Sequence, residues 1–539
     1  MKWKGRSQLF MTAILTISLM AVTAHAFDDD DDEMTFGVDE VSGDQELDYL
    51  EDLIDEGQQL YEEGSYEQAS LRFFDVLEDH EPGAEAYHPQ AEYELARSLL
   101  RLELYQGALR YFGQIAEEGD FHPYFESALR GLLLLTEAVP GDMTLAQHLA
   151  RYVDYFPDMV PHEYHDRYAY LAGRHLYDNL ELNQAVRLLR SVSHRSDFYA
   201  RARYIMAITH VADYEAEPAV EAFRDVLRFF EGQDTPLSEL TGDDLRLLDL
   251  THLGMARVYY STGQFDTSLS YYDRIDRQSP RWPEALFESS WTFFHVDRFN
   301  QALGNLHSLN SPFFEDAYFP EGPILAAVIY FYNCNYGLVR DTLEDFDFVY
   351  EEVKDELEAI LRDHPDAVSL HDWGTRWRAG EVDGQPELNS ALRSSLEDRQ
   401  LVQRFELVDA IDTETESMQD LSDSWQTSLL GDTLMQEAAL AHSFASTDAG
   451  ELVQRRLERI ISELDDLINQ QNRILYEVAR AERGEVEADI RAGMLIEDDV
   501  VDGPGIEVSD EDLYWVFDGE YWYDELGYYF FDIHSQCRR

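Results

Sequence analysis

The chain has 539 residues, 45% of them hydrophobic, which is enough to bury a large core, and its 109 Asp and Glu against 41 Lys and Arg give a formal charge of −68. A polyanion of that size repels nucleic acid and anionic lipid, because both are engaged by Lys and Arg that displace counterions. Only three lysines occur, Lys2, Lys4 and Lys354, so nearly every cation is arginine. That composition fits either saline surroundings, where salt screens self-repulsion, or drift toward arginine codons.

The first residues read as a secretory leader. Lys2, Lys4 and Arg6 form a basic region, an apolar run follows from Leu9 to Val22, and Ala24-His25-Ala26 is a small-x-small cleavage pattern, with cleavage expected after Ala26. An uncleaved anchor is the rival, but the run is shorter than the roughly 20 residues a spanning helix needs. No cysteine follows the cleavage point to take a lipid, and no later stretch reads as a stable membrane span. The expected location is the periplasm, with secretion or outer-membrane association as alternatives. The acidic segment that follows, 27–46, includes Asp28 to Asp32 and cannot bury surface, so it is expected to be disordered. It lacks the alternating ligands and central glycine of a calcium loop.

From residue 47 to 350 a register recurs: a small residue, an apolar or aromatic one three later, and a second small residue twelve later. The first unit has Gly57, Leu60, Tyr66, Ala69 and Phe73 and is closed by Pro82; the second has Ala96, Leu99, Tyr105, Ala108 and Phe112. Gly173, Leu176, Ala185 and Leu189 follow, then Ala207, His210, Ala219 and Phe223. A fifth has Ala256, Tyr259, Gly263, Phe265, Ser268, Tyr272 and Pro280, and a sixth Ser290, Phe293, Phe299, Ala302 and Leu306. The weakest has Ala327, Tyr330, Val339 and Leu343. Ala185 to Ala219 and Ser268 to Ala302 are each 34 residues apart. The gap from Ala108 to Ala185 is 77 residues, room for one degenerate unit around Ala128 to Phe156. The longer gap from Ala219 to Ser268 is assigned to a polar loop at Glu231 to Asp244. Accidental alanines in a non-repetitive helical domain are the alternative.

This register resembles the tetratricopeptide repeat family, whose 34-residue helix-turn-helix unit keeps small residues where helices cross, so that residues such as Phe112 and Phe223 fill the adjoining holes. Proline ends the second helix, a role given to Pro280. The resemblance covers about Asp48 to Tyr350 and is strongest from Tyr168 to Leu309; the family's tryptophan position is not kept. It implies an all-α superhelical solenoid, with a concave face that binds other proteins.

Beyond the array, 351–386 reads as a helix and linker, with Asp363 to Pro386 rich in Asp, Gly, Pro and Trp. In 387–492 two long helices are expected, Leu388 to His442 with breaks near Asp412 and Gly431, and Gly450 to Arg483. The second carries heptads at Leu457, Leu464, Gln471 and at Ile461, Ile468, Leu475. An antiparallel hairpin turning at Ser446-Thr447-Asp448-Ala449 is the first reading, and self-association through 450–483 the alternative. The last segment, 493–539, is acidic and dense in aromatics from Tyr514 to Phe531. Asp518-Gly519 signals a small β-hairpin that caps the fold or, alternatively, binds a partner. Cys334, in an apolar run, is read as a buried free thiol in preference to a bridge with Cys537.

Sites of chemistry are not apparent. His162-Glu163-Tyr164-His165 has its histidines three apart, where a zincin needs four, and reads as a surface turn. No phosphate loop, nucleophile elbow or dinucleotide fingerprint occurs, so neither enzyme activity nor a cofactor is expected. The expected function is a non-catalytic, exported protein-binding scaffold whose partners are other proteins, basic segments above all, or envelope components. A structural role in a cell-envelope machine is the alternative. Phe299-Asn300-Gln301-Ala302-Leu303 with Asn310-Ser311-Pro312-Phe313-Phe314 is similar to periplasmic tetratricopeptide proteins of gliding bacteria. An exported hydrolase with an unrecognised site is the third reading.

Overall fold

The small residues of the repeated register face one another between helices. In a computed structural model that describes residues 48–139, 143–151, 160, 162–232, 240–382, 384–492 and 517–537, Gly57, Ala69, Ala96, Ala108, Gly173, Ala185, Ala207, Ala219, Ala256, Ser268, Ser290 and Ala302 are all buried. A Cβ on Gly57 would meet the Phe73 ring at 2.7 Å, and one on Gly173 would meet Leu189 Cγ at 2.7 Å, both within a single unit. Between units the same fit recurs: a Cβ on Gly131 would lie 2.6 Å from Phe112, and one on Gly254 would lie 2.4 Å from Phe223. Ser268 adds a bond, its hydroxyl donating to Ala256 O at 2.8 Å. Pro280 does otherwise than expected. The helix before it stops at Tyr272, and Pro280 is exposed in the turn leading to the next helix.

Among the described residues, sixteen helices form eight successive hairpins. They are α1 Asp48–Glu62 with α2 Tyr66–Leu77, α3 His88–Arg101 with α4 Tyr105–Glu118, α5 Phe125–Ala138 with α6 Met143–Arg151, and α7 His165–Asp178 with α8 Leu182–Ser191. Then come α9 Tyr199–Ala212 with α10 Ala216–Glu231, α11 Gly242–Ser261 with α12 Phe265–Tyr272, α13 Trp282–His295 with α14 Phe299–Leu309, and α15 Glu321–Tyr332 with α16 Tyr336–Asp363. The third hairpin is the degenerate unit expected between Ala108 and Ala185. Part of the excess assigned to a loop at Glu231 to Asp244 is helix instead: Thr241 and Asp244 form a capping box that starts the 20-residue α11 at Gly242.

Seven of the turns inside these hairpins share one geometry. Gly64, Glu103, Leu180, Tyr214, Gly263, Asp297 and Cys334 all have φ between +57° and +81°. The next N–H reaches back to a carbonyl five residues earlier: Leu104 to Leu99, Glu181 to Leu176, Glu215 to His210, Arg298 to Phe293, each at 2.8–2.9 Å. This left-handed cap satisfies the last carbonyls of the first helix and reverses the chain in three residues.

The segment expected as a linker contains a helix. Asp366 and Ser369 form a capping box that opens α17, Ala367–Arg378, whose Leu370 and Trp373 are buried. After α18 (Pro386–Leu396) come α19 (Arg399–Gln419), the short α20 (Asp423–Gln426) and α21, which runs unbroken for 64 residues from Leu429 to Ala492, about 96 Å. The expected hairpin exists, but it turns at 420–428. Arg456 pairs with Asp398 at 2.5 Å, Arg404 with Asp448 at 2.6 Å and His442 with Asp412 at 3.3 Å, an antiparallel register of α19 on α21. Ser446 to Ala449 does not turn: it lies inside α21, where the Ser446 and Thr447 hydroxyls donate to His442 O and Ser443 O instead of drawing the backbone into a turn. Gly450 is no boundary either: a Cβ there would fall 1.7 Å from Ala367 O, so the glycine lets α17 cross α21. The heptad positions Leu457 and Leu464 bury against α16, α17, α18 and α19 within the chain, and Gln471 donates to Leu343 O on α16. Self-association through that seam is therefore replaced by an internal contact.

Cys334 and Cys537 form a disulfide, where a free thiol was the first reading. Cys334 occupies the left-handed turn position of the last hairpin, and residues 517–537 run along α14 to meet it. Gly527 N–H donates to Ser308 Oγ, Phe531 N–H to Asn300 O and Gln536 N–H to Asn333 O. A Cβ on Gly304 would lie 1.7 Å from Tyr529 O. Leu526 is fully buried beside Trp282 and Leu286. The described residues 517–537 contain no strand at Asp518-Gly519; Tyr514 and Trp515, like the leader and Asp28 to Asp32, lie outside the described residues.

Candidate protein-binding surface

On each first helix, the positions one, four and five after the small residue share a face. In the early hairpins that face carries arginine over tyrosine. The Arg97 guanidinium lies 4.5 Å from the Tyr61 ring centroid and 5.7 Å from that of Tyr93, and it pairs with Glu94 at 2.7 Å. Tyr93 in turn stacks on Tyr124 at 4.7 Å. Arg257 on α11 is held by Glu284 and Glu288, each at 2.5 Å.

In the last three hairpins the same face becomes a ladder of rings. Tyr260 meets His295 at 5.5 Å, and Phe265 stacks on His295 at 5.1 Å with an interplanar angle of 5°. Phe294 contacts Trp291, Phe299 and, at 5.6 Å, Tyr332. The Tyr260, Phe265, Trp291, Phe294 and Phe299 rings are half-buried, His295 is exposed, and Tyr332 at the end of the ladder is 63% exposed. Exposed apolar side chains also mark two turn tips, Leu180 and Tyr214.

The C-terminal helices brace this array. Trp425 of α20 is completely buried and donates its indole N–H to Ser70 Oγ on α2 at 3.1 Å. Glu414 of α19 accepts the Gln106 N–H on both carboxylate oxygens at 3.0 Å, at the N-terminus of α4, where the helix dipole favours an anion. Burial nevertheless pushes the Glu414 carboxyl up to about 7, against the pull of the Gln106, Gly107 and Tyr105 amides. At the other end of α21, Arg340 of α16 pairs with Glu482 at 2.6 Å, and Lys354 with Asp465. One helix thus ties the first hairpins to the last. Arg399 opens α19 near Arg174, Arg201 and Arg246; burial, then those like charges, lower its guanidinium pKa. Local charge therefore departs from the acidic average.

Several half-open cavities lie toward the C-terminal end of the described residues, and two of them flank α15. One, of about 430 Å³, sits between α14, α15 and α16, with Phe531 of the tail and Glu387 of α18 completing it. The other, of about 410 Å³, lies where α18 and α21 approach Tyr318 to Glu321.

His162 to Tyr164 is a short exposed 3-10 turn, as expected, with the His162 and His165 rings 4.5 Å apart. Among the described residues no group of three or more His, Cys, Asp or Glu side chains could hold a metal ion, and no helix is long and apolar enough to cross a membrane. The small residues singled out in the sequence build the frame. The ring ladder was missed, although Trp291, Phe294 and His295 stand at fixed offsets from Ser290 and could have been found by stepping along each first helix.

The array is tetratricopeptide-like. No protein-family model matches the sequence, and no curated protein matches it. Among solved structures, the apo form of RapI matches with a TM-score of 0.33 at 13% identity, covering 67% of this chain and 99% of its own. The apo quorum sensor NprR from B. thuringiensis gives 0.28 at 12% identity, covering 73% and 99%. A thermophilic TPR protein of Thermus thermophilus gives 0.17 at 18% identity, covering 46% and 99%. The repeat architecture stands on the packing described above.

Proposed function

We propose that the chain is an exported, non-catalytic scaffold that holds other proteins against its repeat array outside the cytoplasm. The observation that carries this reading is the half-exposed ring ladder from Tyr260 to Tyr332. Aromatic side chains offer large contact area at little entropic cost and dominate binding hot spots. An array braced at both ends presents them on a rigid support, which lowers the ordering cost of association. The leader sequence supports export, and so does a disulfide in a chain with only two cysteines, since such bonds persist in oxidising compartments. Within the cell envelope, we propose a structural role in an assembly; the block Phe299 to Leu303, similar to periplasmic tetratricopeptide proteins of gliding bacteria, contributes Phe299 to the ladder.

A photo-reactive amino acid placed at Tyr332 or Trp291 in cells, with one at exposed Tyr476 on α21 as the control, tests the surface. Cross-links to a discrete protein from the ladder and none from position 476 are expected; equal labelling from both would overturn the reading. The mass of the protein recovered from fractionated cells tests export: a chain starting at Phe27 in the periplasmic fraction is expected.

A further inference from the structure

We infer that the 430 Å³ cavity beside the tail is a receptor for a single cationic side chain, an arginine or lysine, carried by a segment of a partner protein. The inference rests on the scaffold reading and names the partner's chemistry at one place. The cavity lining is mainly apolar, with Leu303, Leu306 and Val349 among its aliphatic side chains, and it includes the rings of Tyr330, Phe346 and Tyr350 from α15 and α16 and of Phe531 from the tail. Such rings attract a cation over their faces, and more strongly where water is excluded. The only formally charged side chains among its lining residues are two carboxylates, Asp345 and Glu387. Neither has an ion pair or hydrogen bond among the described residues. Cations of the neighbouring segments are already engaged, Arg340 with Glu482, Lys354 with Asp465 and Arg393 with Asp316. Burial, then the nearby Glu387 charge, push the Tyr350 hydroxyl up to about 12, so its ring stays neutral at any physiological pH.

The geometry also sets what the site rejects. Two unpaired carboxylates at the mouth repel an acidic residue, and the polar rim leaves an apolar side chain with desolvation to overcome. A guanidinium or ammonium on an aliphatic stem matches both parts, its stem against the rings and its head at the rim. Because Phe531 lies six residues before Cys537, the wall it supplies is held in place by the Cys334–Cys537 bridge.

The test uses the full mature chain with its disulfide intact and saturation-transfer NMR. The probes are an acetylated, amidated Gly-Gly-Arg-Gly-Gly peptide, the same peptide with citrulline, and free arginine amide. The arginine peptide is expected to take up saturation on its side-chain methylenes, at least about fivefold more than the neutral citrulline peptide, and less at high salt. The double variant Asp345→Asn, Glu387→Gln changes two exposed residues and so keeps the fold; it should lose that preference, as should Phe531→Ala. Equal signals from arginine and citrulline peptides, or an unchanged signal in the double variant, would overturn the assignment. Free arginine amide matching the peptide would also overturn it, because the occupant would then be a small molecule and not a protein segment. The scaffold reading is judged separately. Trp291→Ala with Tyr332→Ala should keep arginine-peptide binding while losing cross-links from the ladder. A chain that cross-links to partners through the ladder but ignores the arginine peptide sinks this inference alone.

Discussion

Replacing Gly304 by alanine should lift the tail from α14 without disturbing the hairpins. The added methyl would lie 1.7 Å from Tyr529 O and 2.5 Å from Tyr529 C, whereas a carbon and a carbonyl oxygen settle at roughly 3.3–3.6 Å. The tail must therefore retreat by about 1.6–1.9 Å. The bonds that flank the contact sit one helical turn to either side: Gly527 N–H to Ser308 Oγ at 2.9 Å, and Phe531 N–H to Asn300 O at 3.2 Å. A retreat of that size stretches both beyond hydrogen-bonding range. Each is worth about 0.5–1.5 kcal/mol, and forced overpacking of this kind costs about 1–3 kcal/mol. A loss of about 1–3 kcal/mol confined to the tail would speed amide exchange there by roughly ten- to a hundredfold. Hydrogen-exchange mass spectrometry on peptides spanning 517–537 reads this directly, with peptides from α9 and α10 as internal controls and the disulfide verified by mass. Unchanged exchange at Gly527 and Phe531 would refute the close approach on which the tail's docking rests.

Four further outcomes follow from the same structure. Cys537→Ser opens a link between residues 203 apart, for which the chain-entropy model gives on the order of 5 kcal/mol; exchange at Gln536 and Phe531 should rise sharply while α1 to α10 keep their protection. Trp425→Ala removes a fully buried indole and its bond to Ser70, so a local cost of about 3–5 kcal/mol is expected, seen as new proteolytic cleavage between α19 and α21. Tyr214→Gly relieves a left-handed backbone at an almost fully exposed side chain; thermal unfolding should be unchanged or gain about 1 kcal/mol, and a clear loss would show that the ring has a packing role. Glu414 titrates with the opposite sign to a salt-bridged acid. Its carboxyl is raised to about 7 in the folded chain, so the fold takes up a proton there that the unfolded chain does not hold until about 4.5. Stability from this group therefore rises as pH falls from above 7 toward 4.5, and Glu414→Gln should flatten that rise in denaturation curves measured across pH 5 to 8.

The repeat was legible because its cause is local and periodic. Ala96, Ala108, Ala207 and Ala219 are small where two helices cross, and the crossing recurs at each hairpin, so spacing alone finds it. The turns were harder to read. Glu103, Leu180, Tyr214 and Asp297 adopt a left-handed conformation that only Gly64 and Gly263 announce by residue type, since the cap's hydrogen bonds, not the side chain, hold them there.

The C-terminal half shows where sequence stops. Gly450 reads as a boundary because glycine weakens an isolated helix, yet here it sits inside a 64-residue helix to admit the backbone of Ala367. Cys334 reads as a buried thiol from its apolar neighbours, and only the path of the tail along α14 brings Cys537 to it. Periodicity along the chain determined which residues would be buried and how the hairpins would nest. The turn at 420–428, the strut from α2 to α16, the ring ladder and the cavity closed by Phe531 were decided by contacts between segments far apart in sequence. Such contacts depend on which surfaces remain uncovered once the local structure has formed, and no window of residues carries that information.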